Sequence, residues 1–157
     1  MKNLTTKLAM AAAIIIFVPI SSFAHCEIPC GIYDDEARFN LLVEHITTIE
    51  KSMNQIIQLS QAGDKNYNQL VRWINNKEAH ADKYAEIVIQ YFMTQRIKPA
   101  DPVDVAKYTV YTREVALLHQ MLVSAMKCKQ TTDTAQTEKL RQLLAQFHEE
   151  YHSDHEK

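Results

Sequence analysis

Near the start of the chain, His25-Cys26-Glu27-Ile28-Pro29-Cys30 crowds an imidazole and two thiols into six residues, directly after an apolar run. A cut before His25 would free a terminal amine. That amine, the amide nitrogen of Cys26 and the Cys26 thiolate are joined by short chains of atoms, so they can close two adjacent small chelate rings on one metal ion. Cys30 lies four residues on, and Pro29 restricts the turn that brings its sulfur back; its peptide bond could be cis. The His25 imidazole hangs beside the plane within reach of an axial position. Zinc prefers four tetrahedral side-chain donors. A planar set of two nitrogens and two sulfurs instead suits Ni(II) or Cu(II). Copper(II) tends to oxidise thiolates, so the residues favour nickel. Two thiolates and an anionic amide push electron density onto the ion and bring Ni(III) within reach, which gives a one-electron shuttle with an open face.

Residues 1–24 are read as a cleaved secretory signal. Lys2 and Lys7 supply a positive start, Leu8 to Ile20 is almost unbroken apolar sequence, and Ser22-Phe23-Ala24 puts small residues at the minus-three and minus-one positions. The run is short of the roughly 20 residues of a membrane helix. An uncleaved anchor is the competing reading, and a lipidated Cys26 is another, although His25 stands where such signals place a small residue. Cleavage after Ala24 would leave 15 basic against 19 acidic side chains, a formal charge of −4. Such a chain lacks the basic surface that nucleic acid requires. It is expected to be exported, periplasmic or extracellular, with no stable membrane anchor after cleavage.

Something must hold the opening loop, residues 25–33. Residues 34–157 are expected to form an all-α, up-down four-helix bundle. Phe39, Leu42, Val43, Ile46, Ile49, Met53, Ile56 and Ile57 recur at helical spacing, with Asp34 or Asp35 to cap the start and Gly63-Asp64 to end it. A second stripe runs through Tyr67, Leu70, Val71, Ile74, Ala81, Ala85, Val88 and Phe92 and stops before "IKPADP". The third helix is expected to begin with Asp101 as cap and Pro102 in its first turn. Its inward residues would be Tyr108, Val115, Leu118, Leu122 and Ala125. Asp133 is a candidate cap for the last helix, whose stripe is Leu140, Leu143, Leu144, Phe147 and Tyr151.

"HCEIPCGIYD", His25 to Asp34, closely resembles the N-terminal nickel hook of the nickel superoxide dismutases, usually H-C-x-x-P-C-G-x-Y. Every fixed position of that pattern is present. The resemblance implies an enzyme that disproportionates superoxide to oxygen and hydrogen peroxide, with one nickel ion per subunit. Its metal ligands would be the amine and imidazole of His25, the amide nitrogen and sulfur of Cys26, and the sulfur of Cys30. Tyr33 would stand over the open face as the catalytic side chain that orders water and screens access. A homohexamer of four-helix bundles is also implied. Glu27 stands where relatives often have aspartate and keeps the charge. Some relatives hold the axial imidazole with a glutamate early in the first helix, where this chain has Asn40. His80, in "RWINNKEAHA", matches a position that is Arg or His in relatives and is a candidate partner for His25.

Other readings compete. Cys26 and Cys30 could pair as a disulfide in an oxidising compartment. Cys128 has no evident partner and is expected to be a small buried or surface thiol. "HEEYH", His148 to His152, matches the zinc-protease pattern H-E-x-x-H, but so short a chain leaves little room for a substrate cleft, and a solvated helix end is the simpler reading. A non-catalytic exported helical protein that carries nickel or copper is the alternative of a different class.

Overall fold

The carboxylate of Asp34 accepts a hydrogen bond from the amide of Ala37 at 3.0 Å, and from this cap the first helix, α1 (Asp35–Gln61), runs 27 residues. Asp35 and Glu36 occupy its first turn, where the helix dipole favours negative charge. α2 (Tyr67–Glu86) continues without a break into a π-helical segment, Ile87–Arg96. α3 (Val105–Gln130) and α4 (Ala135–His155) complete an all-α bundle with no strand among the described residues. This computed structural model describes residues 31–62 and 66–155, with the side chains of 154 and 155 excepted. The hook ligands and the expected end of α1 at Gly63-Asp64 lie outside that range.

The core is built from the stripes that the sequence shows in α1 and α4. Leu42, Ile46, Ile49 and Met53 from α1 meet Leu140, Leu143, Leu144, Phe147 and Tyr151 from α4, all buried. Each large apolar side chain so buried contributes about 1.5–3 kcal/mol. Phe39, Phe92, Phe147 and Tyr151 form one aromatic cluster with ring centroids 4.9–5.7 Å apart.

Several expectations are corrected. Val43 is exposed, as are Tyr67, Val71 and Ile74 of α2. The expected Ala81 does face inward, and its buried companions in α2 are Lys77 and Tyr84. α3 starts at Val105, with the Asp104 carboxylate capping the amide of Lys107 at 3.2 Å. Asp101 serves the preceding turn, accepting from Val103 N at 2.9 Å. Tyr108 is exposed, and Met121 and Cys128 take core positions in α3 beside Leu118 and Ala125. Asp133 does support the start of α4, accepting from Ala135 N at 3.0 Å. No described helix is long and apolar enough to cross a membrane.

Lys77 resolves a helix-end problem. The last carbonyls of α3 have no intrahelical donors. The buried Lys77 ammonium donates to the carbonyl oxygens of Cys128 at 2.8 Å, of Lys129, and of Thr131 at 3.4 Å. Its positive charge sits where the dipole of α3 is negative, and Glu78 pairs with it at 3.1 Å.

Candidate metal centre and its anchoring cluster

Gly31 follows Cys30 directly and has φ +75°. Side chains with a Cβ rarely adopt that conformation, so glycine lets the chain turn between the hook and Tyr33. The Tyr33 ring is then gripped from two sides. The Arg96 guanidinium carbon lies 4.5 Å from its centroid, and Tyr91 meets it edge-on at 5.9 Å, 78° between planes. Tyr33 remains 40% exposed.

Asp35 organises this grip. Its Oδ1 accepts from the Tyr91 hydroxyl at 2.6 Å and from Arg96 Nε at 2.9 Å. Its Oδ2 accepts from Arg96 Nη2 at 2.7 Å and from the Tyr151 hydroxyl at 2.8 Å. A two-toothed guanidinium–carboxylate pair fixes orientation as well as charge. Burial works to raise the Asp35 pKa, but the hydrogen bonds from Arg96, Tyr91 and Tyr151 outweigh it and hold the carboxyl below the ordinary aspartate value. Burial and the same carboxylate push both tyrosine hydroxyls up, so they stay protonated donors.

The π-helical turn makes this cluster possible. Tyr91 and Arg96 are five residues apart, which in a regular α-helix would set them about 140° apart around the axis. In a π-helix the hydrogen bond spans five residues, and positions five apart share a face. Ile97 N donates to Phe92 O at 2.9 Å, Thr94 Oγ1 to Ile89 O at 2.8 Å, and Gln95 Nε2 to Gln90 O at 3.0 Å. Sequence periodicity signals none of this: Asp35 was legible only as a candidate cap, and Tyr91 and Arg96 belonged to no expected stripe or site.

Two histidine clusters lie on the same bundle. His45 of α1 and His80 of α2 face each other, Nδ1 to Nδ1, at 3.0 Å. Burial lowers the pKa of both, and their mutual proximity lowers that of His45 further. A second cluster joins Glu36 of α1 to His148 and His152 of α4. Glu149, the would-be catalytic base of H-E-x-x-H, is not part of it. It is exposed and lines a different groove with Leu117 and Gln146. Asn40 is exposed on the groove between α1 and α4. Cys128 is buried and free, its thiol pushed up to about 11 by burial. His25, Cys26, Glu27 and Cys30 lie outside the described residues. Of the expected site residues the structure therefore describes Tyr33 and His80, and it does not bring those two together.

The sequence profile of nickel-containing superoxide dismutase matches residues 20–155. The chain belongs to that family. It is therefore a superoxide dismutase, an oxidoreductase with a nickel cofactor in each subunit. No curated protein and no solved structure is significantly similar to it. The donor set of the hook fits the metal: His25, Cys26 and Cys30 offer nitrogen and thiolate ligands of the kind that square-planar nickel takes. Superoxide is the enzyme's substrate, as the family describes.

Proposed function

We propose that the enzyme disproportionates superoxide at the hook, with His25, Cys26 and Cys30 as nickel ligands and Tyr33 as the side chain over the open face. When bound, nickel supplies the Ni(II)/Ni(III) cycle through which one superoxide is oxidised to oxygen and a second is reduced. The second also takes up two protons to leave as hydrogen peroxide. The residues of the chain do the rest. Asp35, Arg96 and Tyr91 hold the Tyr33 ring still while leaving it open to solvent, so its hydroxyl can order the water that delivers those protons. Glu27 keeps a negative charge beside the ligands. His80, whose Nδ1 meets that of His45, would have its Nε2 left to offer to His25. This positioning would orient the imidazole as outer-sphere groups do in metal sites.

Two further parts belong to the same reading. Signal peptidase frees the His25 amine, and the metal is taken up outside the cytoplasm. The subunits form a homohexamer, for which the exposed apolar stripe of Tyr67, Val71 and Ile74 offers a contact surface.

The observation that carries the proposal is the complete H-C-x-x-P-C-G-x-Y pattern, His25 to Tyr33, inside the span matched by the family. The test compares protein beginning at His25 with protein carrying one extra residue before it, by nickel analysis, superoxide assay and electron paramagnetic resonance. The trimmed form should bind nickel, show an axial-nitrogen Ni(III) signal and be active. The extended form should be inactive, as should Cys26→Ser and Cys30→Ser. Equal activity in the trimmed and extended forms would refute the hook. Nickel uptake without dismutation would favour the alternative, an exported metal carrier.

A further inference from the structure

We propose that Glu36, His148 and His152 form a second metal site, separate in its ligands from the hook, for a divalent transition-metal ion of the zinc class. His148 and His152 lie four residues apart, which stacks their side chains on one face of α4. The Nε2 atoms of both point at the same oxygen, Glu36 Oε1, at 2.9 and 2.8 Å. One ligand atom from each of the three residues lies within 4.8 Å of the other two.

Zinc–nitrogen bonds of about 2.0–2.1 Å at a tetrahedral ion set donor atoms about 3.3 Å apart. Glu36 Oε1 needs to withdraw from each imidazole by only about half an ångström to meet that spacing. The residues are also held in place. Phe39 packs against both imidazoles, with ring centroids 4.5 and 5.8 Å away. The neighbouring residues Asp35 and Tyr151 are themselves joined at 2.8 Å, which locks the first turn of α1 against α4. The ligand residues are therefore brought together by the fold before any ion arrives.

The donor set selects the ion. Two neutral imidazoles and one carboxylate suit zinc, copper, nickel or ferrous iron, whereas magnesium and calcium favour oxygen alone. Three protein ligands leave a coordination position open to water. Side-chain exposures of 59% for Glu36, 43% for His148 and 25% for His152 let an ion enter without unfolding. A groove of about 410 Å³ between α1 and α4, lined by Phe39 among others, opens onto two of the three ligands, Glu36 and His148. With Glu149 directed elsewhere, the site lacks a base for peptide hydrolysis. Its role is to clamp the start of α1 to the end of α4.

The test uses the full mature chain carrying Cys26→Ser and Cys30→Ser, so that the hook thiolates do not compete. Zinc is titrated into it by calorimetry, and thermal unfolding is followed with and without zinc. One equivalent should bind and raise Tm. His148→Ala, His152→Gln and Glu36→Gln should each weaken binding by at least the roughly 10- to 100-fold that loss of an outer-sphere partner costs a metal site, and should cancel the rise in Tm. Circular dichroism identifies any variant that fails to fold, and the two remaining substitutions then carry the test. Zinc affinity unchanged in the folded variants, or no stoichiometric binding to the parent chain, would overturn the proposal.

Discussion

Replacing Asp35 by Asn keeps the shape of the side chain and removes its charge. Asp35 accepts four hydrogen bonds, two of them from Arg96. The Asp35 and Arg96 side chains are 21% and 23% exposed. Breaking a buried ion pair by removing one partner costs about 3–5 kcal/mol. Partial exposure, and the hydroxyl of Tyr151 still 2.9 Å from Arg96 Nε, reduce that to about 2–3 kcal/mol. For a domain of this size about 1 kcal/mol moves Tm by roughly 4 °C, so Asp35→Asn should melt about 8–12 °C below the parent. Urea unfolding followed by circular dichroism at pH 7 reads the same difference as a free energy. The sign with pH follows from the lowered carboxyl. Its contribution is complete above the unfolded value of about 3.9 and is lost as pH falls through the lower folded value, so the gap between variant and parent should close below about pH 4. A loss under about 0.5 kcal/mol at pH 7, within the range of ordinary surface substitutions, would refute the view that this cluster ties the start of α1 to the π-helical segment and α4.

Lys77→Met should cost about 2–3 kcal/mol, because it strips a charged donor from carbonyls at the end of α3; urea unfolding measures this, and nickel content should not change. The His45–His80 pair should titrate below the ordinary histidine value of about 6.5, since burial disfavours charge on both rings. Stability should therefore fall as pH drops below 6.5 and level off once the folded pair is protonated. Imidazole resonances in a nuclear magnetic resonance titration report the midpoints directly, and midpoints above 6.5 for both rings would contradict the buried contact.

The bundle was legible because most of the apolar residues at helical spacing in α1, and all of those in the α4 stripe, are also buried. The family was legible because the pattern that carries the resemblance is local: nine consecutive residues, His25 to Tyr33, spell it out whatever the helices do. The start of α2 was misread for a physical reason. Tyr67, Val71 and Ile74 share a face, but apolarity alone does not say whether a face meets the core of its own subunit or lies open. Lys77 was missed because its burial depends on carbonyls more than fifty positions away. The cluster around Asp35 was missed for the same reason, compounded by a helix whose period differs from the one assumed. His148 and His152 announced a shared face, but their carboxylate comes from α1 and not from the intervening Glu149.

The widened winding of Ile87–Arg96 has a consequence for how this protein can change. It acts as a phase shift within one continuous rod. Upstream, Ala81 and Tyr84 stay in step with the interior; downstream, Arg96 is rotated onto Asp35 and the ring of Tyr33. Interior and edge stay joined through Tyr91 and Tyr151, which are buried in the core and also donate to Asp35, so a substitution that loosens the grip on Tyr33 is felt in the packing that keeps the helices together.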